Sequence, residues 1–253
     1  MVKKTKPKIS LIIPAYNEEK YIKSTLESVK ESKKLYEKTF KEKVEIIVVD
    51  NNSTDKTADI AREYECEVVN FKRHNIAAVK NAGAKRASGE ILAFIDADSS
   101  IIPKDTFINI HKNLKNKEIF GGGSRCLPDK IKIFAFDFGI VELLFRFILL
   151  EKIYGICLVL LYLRKTDFEE IGGFNETIWS LEDAEFAHKM KRVSIKKNQK
   201  LRHLKKPVIV CTRKNKFIPF WKNIGLLIKS FEKDFISKKE NSYELWYDVD
   251  NLR

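Results

Sequence analysis

The chain has 253 residues, a length that fits one large α/β domain or one domain with a modest appendage. Its apolar fraction of 44% is enough for a substantial core, which argues against a disordered protein. The formal net charge of +13 suits a partner that carries phosphates, such as a nucleotide, a nucleic acid or an anionic lipid. An ordinary solvated basic surface would give the same charge, so charge alone does not choose between these classes.

Cysteine spacing excludes two further classes. Cys66, Cys126, Cys157 and Cys211 are irregularly spaced and form no CxxC pair, which predicts neither a zinc site nor a disulfide framework. A reducing, cytoplasmic setting fits this pattern. The apolar run near the N-terminus is too short for a signal peptide and ends at Pro14, so we predict a strand there.

The first half of the chain alternates strands with helices. Continuous apolar runs predict buried strands at 8–13, 44–49, 66–71 and 91–95. Helices are expected at about 18–34, after a cap at Ser53 or Thr54, and at 75–87. Repeated units of this kind imply an α/β fold, with a mostly parallel, Rossmann-like sheet flanked by helices.

Polar clusters follow three of these strands, at 14–18, 50–53 and 96–98. Ligands of such sheets bind beyond the carboxyl ends of the strands. We therefore expect the three clusters to converge on one crevice.

The second half is less regular. We predict a helix at 104–116, a strand at 118–126, a helix at 134–152, a turn at Gly172-Gly173 and a helix beginning near Glu182. A strand at 207–210 lies in a basic stretch, 191–216, that contains no acidic residue, and 217–236 has amphipathic helical spacing.

The segment 138–163 is strongly apolar and about as long as a bilayer span. Four charged residues interrupt it, Glu142, Arg146, Glu151 and Lys152, which argues against a spanning helix. Two interpretations stay open: a buried helix followed by a strand, or a helix lying in the membrane interface.

Asp96 and Asp98 flank a small residue at the end of a hydrophobic strand. Two carboxylates in this position can face one hard cation such as Mg²⁺ or Mn²⁺, which would bridge diphosphate oxygens. The pattern by itself is weak, and its place after the strand strengthens it. Asp50 ends another strand, where it could accept a hydrogen bond from a base or a ribose, or cap the next helix.

Five segments, in this order and spacing, resemble the family 2 glycosyltransferases of GT-A fold over about residues 8–192: PAYNEE, VVDNNSTD, KNAGAKRASGEILAFIDAD, FEEIGGFNE and LED. The resemblance implies an enzyme that moves a sugar from a UDP- or GDP-linked donor to an acceptor. It further implies inversion at the anomeric carbon, help from Mn²⁺ or Mg²⁺, and a glycan or lipid-linked sugar as acceptor. No nucleic acid is expected as a partner.

The resemblance also assigns roles to residues on the donor side. Those expected to hold the nucleotide sugar are Pro14, Ala15, Tyr16, Glu18, Asp50, Asn51, Lys80, Asn81, Asp96 and Ala97, with Asp96 and Asp98 as metal ligands. Two positions depart from the family pattern. Asn51 stands where a second Asp is usual, which leaves the choice of nucleotide open, and Lys80 replaces Arg, giving a point charge in place of a bidentate fork.

On the acceptor side, the resemblance makes Asp183 the candidate base. A carboxylate at a helix N-terminus is stabilised as the anion, so Asp183 should be a weak base unless acceptor binding desolvates it. Glu182 and Asp183 could instead simply complement the helix dipole. Trp179 could stack on a sugar or belong to the core. Arg213 could bind a diphosphate or a lipid phosphate, or face solvent.

We divide the chain into a nucleotide-sugar-binding half (1–125) and an acceptor-side half with the C-terminal amphipathic helix (126–253), together one catalytic domain. A polyprenyl-phosphate acceptor is an alternative that suits the apolar segment and the basic charge, with peripheral membrane contact through 138–163 or the C-terminal helix at the cytoplasmic face. A nicotinamide oxidoreductase is excluded because no GxGxxG follows the first strand. A non-catalytic binder of membrane or nucleic-acid surfaces would leave the acids at three strand ends unexplained.

Overall fold

The computed structural model describes residues 6–98, 101–128, 159–179 and 181–210. Its strands are β1 (Ile9–Ala15), β2 (Val44–Asp50), β3 (Glu67–Asn70), β4 (Ile91–Ile95), β5 (Ile119–Gly123), β6 (Cys126–Pro128), β7 (Leu160–Arg164), β8 (Lys200–His203) and β9 (Val208–Val210). Its helices are α1 (Ile22–Phe40), α2 (Thr57–Glu63), α3 (Ile76–Arg86), α4 (Thr106–Lys115), α5 (Lys165–Ile171) and α6 (Glu182–Lys196).

Seven strands form the main sheet in the order β3-β2-β1-β4-β7-β5-β8. The strands β1 to β4 run parallel, β5 is parallel to β8, and β7 is antiparallel to both of its neighbours. The predicted mostly parallel α/β sheet is therefore confirmed. The boundary at 125/126 falls between β5 and β6, and the later strands β7 and β8 lie in the same sheet as the first five.

Both faces of the sheet are covered. Alternate residues of β1 enter two different cores: Leu11 and Ile13 pack with α1 and α4, whereas Ile12 packs with α3 and α6. Because successive side chains of a strand point to opposite faces, a strand buried on both sides must be apolar throughout. This explains the continuous apolar runs in the sequence.

Pro14 lies inside β1, which ends at Ala15, two residues beyond the predicted strand 8–13. Pairing of β1 with β4 ends at Ile12 and Phe94, while the Ala15 carbonyl accepts from Asn51 N–H of the β2 side at 2.8 Å. Backbone polar groups alternate between the two edges of a strand, so Pro14 faces the side where the ladder has already ended. Its missing N–H therefore costs no hydrogen bond.

Two local predictions were wrong. Neither Ser53 nor Thr54 caps α2, which begins at Thr57, because the side chains of both are bonded to the 16–19 loop instead. The predicted strand 118–126 is two strands, β5 in the main sheet and β6 paired with β9 in a small second sheet. The strand β8 was not predicted.

Several predictions fall outside the described residues. They are the helix at 134–152, most of the segment 138–163, the C-terminal amphipathic helix and Arg213. Residues 160–163 of the apolar segment belong to β7. Among the residues that the structure describes, no helix is long and apolar enough to cross a membrane.

Candidate functional site

The three polar clusters that follow strands lie at one edge of the main sheet. The strands β2, β1 and β4 are parallel neighbours, so their carboxyl ends are adjacent. Ala15 pairs with Asp50 in register, and Thr25 of α1 donates its hydroxyl hydrogen to the Ala97 carbonyl at 3.2 Å. The predicted convergence on one edge is therefore present.

Hydrogen bonds join the loops after β1 and β2. Asn17 N–H donates to Ser53 Oγ at 2.9 Å, and Asn17 Oδ1 accepts from Thr54 N–H at 2.7 Å. Glu18 N–H donates to Thr57 Oγ1 at 2.6 Å, and the Glu18 carbonyl accepts the first bonds of α1. The polar residues of PAYNEE and DNNSTD thus hold each other in place at the edge.

Asp50 and Asn51 are both buried at this edge. Asn51 Nδ2 donates to the carbonyls of Phe71 (2.7 Å) and Arg73 (3.0 Å) in the segment that leads to α3. A carboxylate could not donate these bonds, which explains why an amide stands here. Asp50 accepts weakly from Ser53 N–H, with both oxygens 3.3–3.4 Å away.

Tyr16 forms an aromatic wall beside these loops. Its ring meets the ring of His74 edge-on, with centroids 5.3 Å apart. Tyr16 follows β1 and His74 lies just before α3, so the pair spans the gap between the first loop and the third helix.

The two aspartates after β4 are half-buried around a buried Ala97. Carboxylate oxygens suit Mg²⁺ or Mn²⁺, and these cations commonly take one or two protein carboxylates and complete their shell with water and phosphate oxygens. Among the described parts of the chain, no cluster of three or more metal-binding side chains is present. The carboxylates of Asp96 and Asp98 are of the kind that such a cation takes.

Lys80 is the most unusual residue of the site. Only 2% of its side chain is exposed, and Nζ lies 2.7 Å from each carboxylate oxygen of Asp183 and 2.9 Å from Glu182 Oε1. Asp96 Oδ1 is 3.8 Å away. Burial by itself would lower the pKa of Lys80, but the three carboxylates outweigh it and raise the pKa well above its ordinary value.

Asp183 begins α6 together with Glu182, as predicted. Burial raises the pKa of Asp183 to about 8; Lys80 opposes this increase, and the charges of Glu182 and Asp96 add to it. The helix N-terminus favours the anion, whereas the desolvation that was expected only on acceptor binding is already present in this structure. The side chain stays 21% exposed, so it is still accessible to a ligand.

The segment before Asp183 is held by asparagines of α3. Asn81 makes two bonds of 2.9 Å with the backbone of Phe174, and Asn75, which caps α3, donates to the Ile178 carbonyl at 3.2 Å. Gly172 and Gly173 supply the positive φ angles of 82° and 66° that turn the chain there. Leu181 takes a left-handed φ of 59° directly before Glu182, which marks strain at the site.

The structure places every predicted site residue except Arg213, which lies outside the described residues. Pro14, Ala15, Tyr16, Glu18, Asp50, Asn51, Asp96, Ala97 and Asp98 lie at the sheet edge, Lys80 contacts the candidate base, and the Asn81 side chain is engaged by the 174–176 loop. Trp179 is half-buried near the start of α6. Asn75, which links α3 to the acceptor side, was not among the predicted residues, although its place before a helical pattern is typical of a helix cap.

Part of the chain matches a known protein family. Residues 10–118 match the family described as glycosyl transferase family 2. The chain is 36% identical over 102 residues to the putative glycosyltransferase EpsH of Bacillus subtilis, covering 38% of this chain and 28% of the relative. It is 35% identical over 139 residues to dolichyl-phosphate beta-glucosyltransferase ALG5D of Trichomonas vaginalis, covering 49% and 42%.

A solved structure shares the fold. It is the mannosyltransferase PcManGT from Pyrobaculum calidifontis in complex with GDP-Man and Mn²⁺, with a TM-score of 0.59 and 19% identity over 98% of this chain and 73% of that one. The chain spans less than half the length of the two curated relatives.

Proposed function

Because the chain belongs to glycosyl transferase family 2, we propose that it transfers a sugar from a nucleoside-diphosphate sugar to an acceptor, with inversion of the anomeric centre. The observation that carries this proposal is the buried group formed by Lys80, Glu182 and Asp183 beside Asp96. It joins a candidate base to the candidate metal motif at the edge where the strand ends meet.

The donor lies over the loops that follow β1 and β2. The nucleoside is held by 14–18, with the Tyr16 ring as one wall, and by Asp50 and Asn51. Asn51 Oδ1 can accept from a base N–H while its Nδ2 keeps the 71–73 segment in place. Asp96 and Asp98 would hold Mn²⁺ or Mg²⁺, which supplies positive charge to the leaving diphosphate.

Asp183 is the base on the acceptor side. It removes the proton from an acceptor hydroxyl as that oxygen attacks the anomeric carbon, and the bond to the diphosphate breaks on the opposite face. A pKa raised by burial makes its carboxylate a stronger base than an exposed one. Lys80 fixes the orientation of the carboxylate through both of its oxygens.

The acceptor is a glycan or a lipid-linked sugar at the cytoplasmic face of a membrane. A polyprenyl phosphate is the alternative, because its oxygen is already anionic and needs little help from a base. The name of the ALG5D relative, a dolichyl-phosphate glucosyltransferase, favours considering this alternative.

Isothermal titration of UDP and GDP, each with and without Mn²⁺, tests the donor site. We expect one nucleotide to bind tightly to the wild type only with the metal, and Asp98→Ala to weaken that binding at least about tenfold through loss of a ligand. Glu90→Ala is the matched control, since it removes one carboxylate at the opposite end of the same strand.

Two outcomes would contradict the proposal. If neither nucleotide binds with metal present, the donor-site assignment fails and a non-catalytic basic surface binder becomes the better account. If Asp98→Ala and Glu90→Ala bind the nucleotide with the same affinity in the presence of metal, the metal motif does not contribute to nucleotide binding.

A further inference from the structure

Three apolar side chains form an exposed row across the small sheet. Leu127 of β6 pairs in register with Ile209 of β9. Ile209 in turn exchanges two backbone hydrogen bonds with Ile101, of 2.8 and 3.0 Å. Register partners project to the same face of a sheet, so the three side chains stand side by side. We call Ile101, Leu127 and Ile209 the apolar row.

The row is exposed although the sheet has a buried face of its own. Exposure is 40% for Ile101, 45% for Leu127 and 39% for Ile209, whereas the neighbouring Cys126 and Val208 are buried. Strands with one solvated face ordinarily carry polar residues on it. Of the five large hydrophobic residues exposed in the described ranges, three belong to this row. Clustering of this kind marks an interaction surface, whereas single exposed residues do not.

Cationic side chains surround the row. Arg125 lies next to β6, Lys205 and Lys206 lead into β9, and Lys104 follows Ile101; all four are exposed. Lys206 pairs with Asp105 at 3.3 Å and Lys104 with Glu31 at 3.0 Å; both lysine side chains are more than half exposed, as is Glu31, while Asp105 is 30% exposed. Exposed ion pairs of this kind are weak, so these lysines remain available to other anions. The sequence 191–216 contains no acidic residue.

The course of the chain indicates what covers this face. The strands β6 and β9 end at Pro128 and Val210, and the sequences that follow them, 131–158 and 217–236, are rich in large apolar residues with charges of both signs between them. The last described residue before each sequence therefore belongs to the small sheet. An apolar face bordered by cations, with two such sequences attached, matches the plane of an anionic bilayer, which offers hydrocarbon below a layer of negative headgroups.

We propose that the apolar row and its flanking cations dock the protein on an anionic lipid bilayer. Ile101 follows Asp98 by three positions, so the docked face lies next to the metal motif. Docking itself does not depend on sugar transfer. Its consequence, that the site is presented to a lipid-linked acceptor, rests on the proposed function.

Vesicle sedimentation with the full chain tests the docking surface. We expect the wild type to sediment with phosphatidylcholine vesicles that contain phosphatidylglycerol and to remain in solution with pure phosphatidylcholine. Leu127→Ser/Ile209→Ser should reduce the partition coefficient about tenfold, because two partly exposed aliphatic side chains no longer enter the interface. Ile195→Ser is the matched control: Ile195 is 68% exposed, but it lies on α6, which packs against β5 and β8 of the main sheet.

A second variant covers the case in which the serine variant fails to fold. Lys205→Glu/Lys206→Glu leaves the apolar row intact and should lower binding to the anionic vesicles about tenfold or more, since each cation near the surface contributes to attraction. Nucleotide titration on every variant separates the two proposals. A variant that no longer binds vesicles but still binds UDP or GDP has lost docking and kept the donor site.

Three results would overturn the docking proposal. The first is a wild type that does not sediment with anionic vesicles. The second is a folded Leu127→Ser/Ile209→Ser variant that sediments with them to the same extent as the wild type. The third is a wild type that forms dimers in sedimentation velocity, does not bind vesicles and becomes monomeric in the serine variant. That result would make this face an interface between copies of the chain.

Discussion

The Lys80 ammonium donates to both oxygens of Asp183 and to Glu182 while almost completely buried. A buried cation is tolerated only when carboxylates surround it, and an ammonium with three donors can serve three oxygens at once. The planar fork of an arginine would favour two parallel bonds to one carboxylate. Lysine at this position therefore fits a site in which two acids share one cation.

Asp183→Asn tests the base assignment. With a hydroxyl acceptor, we expect kcat to fall by about 10²–10⁴-fold, because the amide cannot take the proton, while nucleotide binding stays unchanged. Transfer from the sugar nucleotide identified by titration gives kcat, and titration gives donor affinity. Glu185→Gln, in the same first turn of α6, is the control and should retain the wild-type rate.

The rate of Asp183→Asn also distinguishes between the two kinds of acceptor. If Asp183→Asn keeps most of the wild-type rate, the base assignment is wrong for this acceptor. An acceptor that is already anionic, such as a polyprenyl phosphate, would then be favoured.

At the scale of elements, α3 connects the two sides of the site. Its cap Asn75, Lys80 and Asn81 all bond to the segment 174–183, and the loop before it is held by Asn51. A displacement of this helix would therefore move the base relative to the strand ends. Tight packing of α3 on the sheet is what keeps these distances short.

Gly83→Ala tests that packing. A Cβ at Gly83 would overlap Ile12 and lie 2.9 Å from Val49 Cγ2, so the helix would have to move away from β1 and β2. Alanine favours a helix by about 1 kcal/mol over glycine, but overpacking costs about 1–3 kcal/mol. We expect net destabilisation in urea unfolding, whereas Lys85→Ala on the exposed side of α3 should change stability little. A more stable Gly83→Ala variant would contradict this close approach.

The strand β7 shows what determines an element's position in the sheet. It enters between β4 and β5 in the antiparallel sense, and its Tyr162 hydroxyl donates to the Arg202 carbonyl of β8 at 2.6 Å. Gly122 of β5 has no side chain, which makes room for Tyr162 and the Arg202 backbone. The glycine run of β5 is therefore a close-packing surface.

At the scale of the molecule, Glu45 joins three strands at the edge opposite the site. Its carboxylate accepts from Ser10 Oγ of β1, from Ser88 N–H (2.6 Å) and Oγ (2.8 Å), and from Gly89 N–H (3.0 Å) just before β4. Burial would raise the pKa of Glu45, but these hydrogen bonds outweigh it and hold the pKa below its ordinary value. The folded state thus favours the ionised form.

The sign of the pH effect follows from linkage. A carboxyl group with a lowered pKa in the folded state stabilises the protein above its unfolded pKa, near 4.5, and this contribution is lost as the pH falls through the folded pKa. Glu45→Gln should lower the free energy of unfolding by about 1–3 kcal/mol at neutral pH, with a smaller difference in acid. Urea unfolding at several pH values measures this, with the exposed Glu118→Gln as control. A difference that does not change with pH would show that the charge of Glu45 contributes nothing.

The sequence by itself determined the features that depend on neighbouring residues. Apolar periodicity placed β4 at 91–95 and α6 from Glu182, and the polar residues after each strand located the edge that holds the site. These signals are readable because burial of strands and helices imposes a local period on the chain.

Tertiary structure decided which distant residues meet. The partners of Lys80 lie 102 and 103 positions away, and Asn51 reaches a carbonyl 22 positions on. The antiparallel insertion of β7 likewise depends on the glycine surface of β5. Such contacts depend on which surfaces of the folded elements pack together. The spacing of apolar residues along the chain specifies each element but not its packing partner.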